Sequence, residues 1–251
     1  MAFPFFLILL LLCTPASGEP MNIAAASNFM APLKAIMTDF EAHSGHKARV
    51  SFGSSGKLYA QITHGAPFDV FLSADQKTPM SLEAQGLAVK SSRFTYALGR
   101  LALWSTHASY RNKLREILIT GHYQTLAIAN PKLAPYGEAA LQTLASLGIS
   151  KDHISRLVQG ENITQTFQFI HSGNANLGFI ALSQAVSFKE SAHGALWIIP
   201  GEYYSPIQQD VVLLKRGQPN PAARAFLAYL KSQPARAVIE SFGYQLPAVA
   251  R

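Results

Sequence analysis

Apolar and polar positions along the chain switch between two periods. Short runs of apolar or β-branched residues, at Asn22 to Ala26, Arg49 to Phe52, Asp69 to Ser73, Thr125 to Ala129, Arg156 to Gln159 and Leu177 to Ala181, read as buried strands. Most run through a small polar turn into helical spacing. Met30, Leu33, Ile36, Met37 and Phe40 mark the first such helix, which the Ser44-Gly45 pair stops. Leu58 and Ile62 mark the second, and further helices are predicted at Pro79 to Gln85, Leu114 to Thr120, Glu138 to Leu147, Thr164 to His171, Pro221 to Leu230 and Ala235 to Phe242. Phe94 to Trp104 reads as two extended segments meeting at Gly99, which suits a crossing between lobes, and Ile207 to Leu214 as a long strand. Alternating strands and helices predict an α/β architecture with a mainly parallel sheet.

Four of the turns share one character: Ser27-Asn28, Ser54-Ser55, Pro135-Tyr136-Gly137 and Asn162-Ile163. Each follows a strand and precedes a helix, where backbone N–H groups lack intrahelical partners and the helix dipole is positive. Such an end suits an anion. On any single segment a serine there is more ordinarily a helix cap; the recurrence at the ligand-binding edge of an α/β sheet is what points to a site. Two related motifs are excluded around Gly53-Ser54-Ser55-Gly56-Lys57. A phosphate-binding loop needs Ser or Thr after the lysine, where Leu58 stands, and a first glycine where Ser51 stands. A nucleophile elbow needs its second glycine one residue later.

Composition narrows the class. The apolar run Ala2 to Cys13, followed by Ala16 and Gly18, reads as a secretory signal cleaved after residue 18. It is too short to span a bilayer. The single cysteine, Cys13, lies in that run, so the mature chain has neither disulfides nor thiolate metal sites. With 49% hydrophobic and 14% charged residues the chain is globular. The net charge of +7 is scattered in basic runs no longer than two, which argues against nucleic acid and for a mild field that attracts anions. His43 and His46 have ligand spacing, but Gly45 breaks the helix between them. Asp69 and Asp75 flank a strand and are read as a structural acceptor and a turn cap.

At these residues the chain resembles the periplasmic molybdate-binding proteins of bacterial molybdate ABC transporters. The matching stretches include Ala24 to Asn28, Phe52 to Lys57, Gly65 to Asp75, Arg93 to Gly99, Ala129 to Gly137, Leu177 to Leu182 and Phe242 to Tyr244, in order along the mature chain. The resemblance implies a two-lobed type II periplasmic binding fold, each lobe a mainly parallel sheet flanked by helices, with the ligand in the interlobe cleft. Residues 19–96 and 207–251 would form lobe 1 and residues 97–206 lobe 2, hinged near Tyr96 to Arg100 and Ser205 to Gln208. It implies a periplasmic, monomeric carrier that captures molybdate and tungstate for a membrane permease, with no enzymatic activity, no cofactor and no free metal cation. Carried over by position, Ser27 and Ser55 would donate through hydroxyl and backbone N–H, and Tyr136 and Ile163 through backbone N–H. Asn28 is an added donor beside the first serine. Ala181 stands where several members carry a tyrosine hydroxyl, so either the cage has fewer bonds or Asn28 compensates.

A fully deprotonated oxyanion only accepts hydrogen bonds, whereas hydrogen phosphate also needs an acceptor, and only Glu138 and Glu161 lie close to the turns in sequence. Sulfate or another small anion is the alternative ligand. An organic acid would call for an arginine at the turns, and none is there. An exported serine hydrolase using Ser55 is the rival from another class; it would need a histidine motif that the chain does not present.

Overall fold

A computed structural model describes residues 19–149, 156–188 and 194–248. The expected signal segment, residues 1–18, lies outside the described residues. The chain runs β1 (Met21–Ala26), α1 (Met30–Ser44), β2 (Ala48–Gly53), α2 (Ser55–Thr63), β3 (Val70–Leu72), α3 (Lys77–Ala84) and β4 (Phe94–Gly99). It continues with β5 (Leu101–Ser105), α4 (Leu114–Thr120), β6 (Leu126–Ala129), α5 (Pro135–Ser146), β7 (Leu157–Gly160), α6 (Ile163–His171), β8 (Leu177–Ala181), α7 (Leu182–Ser187) and β9 (Ala195–Ile198). Then come β10 (Ile207–Leu213), α8 (Pro221–Leu230) and α9 (Gln233–Ser241).

Two five-stranded sheets result, in the orders β2-β1-β3-β10-β4 and β7-β6-β8-β5-β9. In the first, β1 pairs parallel with β2 and β3, and β10 runs antiparallel between β3 and β4. The second repeats this plan: β6 pairs parallel with β7 and β8, and β5 runs antiparallel between β8 and β9. One reversed strand per sheet qualifies the parallel expectation. β4 ends in one sheet at Gly99 and β5 begins in the other at Leu101.

Each sheet is buried on both faces, with side chains sorted by the two-residue period of a strand. Ile23, Val70, Leu72, Val211 and Leu213 meet α1, α8 and α9 through Leu33, Phe40, Phe226 and Ile239. The alternate residues Ala24, Phe71 and Val212 meet α2 and α3 through Leu58, Ile62 and Leu82. In the second sheet Leu103, Ile128 and Phe179 face α4 and α5, while Ala102, Trp104 and Ile180 face α6 and α7. Both cores end at the strands' C-terminal edges, where the four turns lie.

Three elements differ from the reading of the pattern. α5 starts at Pro135, not Glu138, so Tyr136 and Gly137 occupy its first turn. Proline at the first helical position has its φ pre-set and lacks only an N–H that the helix would not use. α7 and β9 were not predicted: α7 is only six residues long, and β9 leaves Leu196 and Ile198 exposed, so neither carries a clean period. Asp69 and Asp75 act as read. Asp69 Oδ2 accepts from Asn22 N–H at 2.7 Å, and Asp75 Oδ1 accepts from Thr78 N–H at 2.7 Å.

Candidate functional site

Ser27, Asn28, Ser55, Tyr136 and Ile163 all line one cavity of about 10 Å³ between the two sheets. Gly53, Ser54 and Ala74 complete the wall on one side, Ala134 and Pro135 on the other. The space is small beside the roughly 300–1,000 Å³ of pockets for drug-sized molecules. No Lys, Arg, His, Asp or Glu is among the lining residues. Glu161 is held by Lys57 at 3.0 Å, and Glu138 lines a separate pocket with Asp75 and Gln208. Among the described residues no group of three or more His, Cys, Asp or Glu is placed to hold a metal ion.

The helix starts leave particular N–H groups without partners among the described residues. In α6 the side chain of Asn162 caps Thr164 and Gln165, and its carbonyl takes Thr166 N–H, so Ile163 N–H remains. In α5 Pro135 has no N–H and Gly137 N–H goes to Ala134 O, so Tyr136 N–H remains. In α2 Gly56 N–H reaches across to Leu133 O at 2.9 Å, which leaves Ser55 N–H at the first position. Ser27 and Asn28 open a 3-10 turn leading into α1, and neither N–H has a protein partner. Burial without a partner is costly for such groups, so an acceptor in the cavity stabilises all of them at once.

The side chains divide by role. Ser55 Oγ accepts from Ala74 N–H at 2.9 Å, which fixes the oxygen and leaves its own proton to donate. Ser54 Oγ is buried with no hydrogen-bond partner among the described residues. The Tyr136 ring is buried, and its hydroxyl accepts from Gln209 Nε2 at 3.2 Å, away from the helix start.

Asn28 requires a correction. Its amide nitrogen donates to Gln209 Oε1 at 2.8 Å and to Tyr244 OH at 2.9 Å, so both amide protons are committed inside the protein. Of the two alternatives at Ala181, compensation by this side chain fails on that geometry; what Asn28 has left to donate is its N–H. Ala181 ends β8, fully buried, with its N–H held by Gln184 Oε1 at 3.0 Å, and it does not line the cavity.

Asn28 instead anchors a buried network behind the cavity. Tyr96 OH donates to Gln209 Oε1, Tyr244 OH lies within hydrogen-bond distance of both Asn28 O and Ser183 Oγ, and Ser183 Oγ donates to Asn28 O. Burial pushes the Tyr96 and Tyr136 hydroxyls well above their ordinary range and that of Tyr244 up to about 12. The network is therefore neutral at physiological pH. Nothing in or behind the cavity titrates near neutrality, so affinity for a fully ionised anion is expected to stay flat between about pH 6 and 9. Isothermal titration across that range checks this; a step at a histidine-like pH would contradict it.

The sequence from residue 21 to 245 matches the family model of bacterial extracellular solute-binding proteins. The chain belongs to that family. Among its relatives is the molybdate-binding protein of Azotobacter vinelandii, 48% identical over 236 residues that cover 94% of each chain. The molybdate-binding protein of Rhodobacter capsulatus is 42% identical over 233 residues, covering 93% of this chain and 91% of that one. A solved structure, the periplasmic molybdate-binding protein of Azotobacter vinelandii, superposes with a TM-score of 0.86 at 38% identity, covering 90% of this chain and 99% of that one. The architecture is thus the two-lobed type II periplasmic binding fold. In this solute-binding protein the lobes meet across the cavity mouth through Gly56 N–H to Leu133 O, Thr164 Oγ1 to Ser27 O and the exposed Lys57–Glu161 pair.

Proposed function

We propose that this chain is a periplasmic carrier that binds molybdate, and tungstate with it, and delivers the anion to the membrane permease of an ABC transporter. The observation that carries the reading is a small cavity bordered by unpartnered N–H groups and serine hydroxyls and lined by no charged side chain. Such a cage favours an anion that accepts hydrogen bonds on every oxygen and disfavours hydrogen phosphate, which would need an acceptor for its proton. The names of the relatives at 48% and 42% identity point to the same ligand. Ser27 and Ser55 donate through hydroxyl and N–H, and Asn28, Tyr136 and Ile163 through N–H. The carrier works as an exported monomer, without cofactor or catalysis, and its anion is cargo. Lobe 1 comprises residues 19–96 and 207–251 and lobe 2 residues 97–206, hinged at Tyr96 to Arg100 and Ser205 to Gln208. The passage of the chain between sheets after Gly99 and its return at Ile207 support that division.

Calorimetric titration with molybdate, tungstate, sulfate and phosphate tests the reading. One-to-one binding of the first two is expected, unaffected by a chelator of divalent cations, with phosphate much weaker. Preference for phosphate, or loss of binding with chelator, would contradict it. Ser55→Ala removes one charge-assisted donor and is expected to weaken molybdate by about 1.5–3 kcal/mol, roughly ten- to more than a hundredfold. Tyr136→Phe and Ile163→Val keep their N–H groups and are expected to leave affinity within a few-fold in the same titration.

A further inference from the structure

We propose that Ser54, the neighbour of the serine already assigned, is itself a direct ligand of the oxyanion. The inference rests on the reading of the cavity as an oxyanion site. Ser54 occupies the N-cap position of α2, with φ −74° and ψ 150°, where a serine hydroxyl ordinarily accepts from an N–H of the first turn. It does not: the side chain makes no cap hydrogen bond. The contrast within the chain is direct, since the N-cap residues Asn162, Asn220 and Ser232 all accept from first-turn N–H groups of their helices. Ser54 is 4% exposed, lines the cavity, and its Oγ has no hydrogen-bond partner.

A buried hydroxyl without a partner is destabilising, and native proteins rarely leave one so. Ser54 borders on the same cavity as Ser27, Ser55, Tyr136 and Ile163. An anion seated there offers an acceptor to Ser54 at the same time as to the N–H groups of the helix starts. The two adjacent serines then do different work. Ser55 has its oxygen fixed by Ala74 N–H and donates in a set direction. Ser54 is free to rotate its proton onto whichever oxyanion oxygen lies nearest.

The test is Ser54→Ala, read by molybdate calorimetry and by thermal melts with and without molybdate. A direct ligand predicts at least tenfold weaker binding, while the melting temperature without molybdate is unchanged or higher, because the deleted hydroxyl had no protein partner. Unchanged affinity overturns the proposal. So does a lower melting temperature without molybdate, which is the mark of a lost helix cap. Ser54→Thr keeps the hydroxyl and is expected to retain more affinity than the alanine variant; equal loss in both also overturns it. If the wild-type protein gives no heat with molybdate, the oxyanion reading fails on its own, and that result is distinct from any of these.

Discussion

Gly137→Ala is expected to weaken molybdate binding by more than about a hundredfold, the equivalent of losing roughly 3 kcal/mol. A Cβ at this position would stand 2.1 Å from Ala129 O and 2.7 Å from Ala129 C, both backbone atoms at the end of β6. Neither can rotate away, so the first turn of α5 must lift off the strand. Tyr136 N–H precedes Gly137 and moves with it, out of reach of an anion held by the other three helix starts. The demand on Gly137 is therefore steric and concerns the closeness of helix to strand. Gly201→Ala is the control: nothing lies within 4 Å of a Cβ there, and it is expected to be silent. Calorimetry and a thermal melt on both variants check the contrast; wild-type affinity in Gly137→Ala would show that α5 does not set the site.

The second large effect is on stability. Asp210 is fully buried on β10, and its carboxylate accepts from Arg93 Nη1 at 2.5 Å, Thr95 Oγ1 at 2.6 Å and Gln76 Nε2 at 3.2 Å. Arg93 also pairs with Glu83 at 2.9 Å, and these hydrogen bonds, first that to Asp210, raise the guanidinium pKa above its ordinary value. Arg93→Ala strands a buried charge and is expected to cost about 3–5 kcal/mol of unfolding free energy. Adding Asp210→Asn removes that charge, keeps an acceptor for Thr95, and is expected to restore a large part of the loss. Urea unfolding followed by circular dichroism measures both. Equal destabilisation in the single and double variants would contradict a charge-burial origin. The β4–β10 register shifts between Asp210 and Gln209, which bonds Asn28, Tyr96 and Tyr136 in the network behind the cavity.

Much of the fold could be read from periodicity alone. Leu114–Thr120 and Pro221–Leu230 lie where their apolar spacing places them, because both helices bury one clean stripe. The start of α5 was harder: Pro-Tyr-Gly has the chemistry of a turn, and only the packing of Gly137 on Ala129 shows that it is a helix. The four turns were legible because small polar residues at helix starts have a local physical meaning. The role of the Asn28 side chain was not local. Its partners Gln209 and Tyr244 are 181 and 216 residues away, and no spacing rule reaches so far. Ser54 and Ser55 are likewise alike in sequence, and it is Ala74, on the loop after β3, that makes them different.

In the proposed site, backbone N–H groups at four helix starts hold the anion. Amide NMR spectra of ¹⁵N-labelled protein, recorded during a molybdate titration, test it most directly. The largest shifts are expected on the N–H signals of Ser27, Asn28, Ser55, Tyr136 and Ile163, saturating together at one equivalent. Shifts concentrated on surface lysines and arginines, with these five signals unmoved, would contradict it.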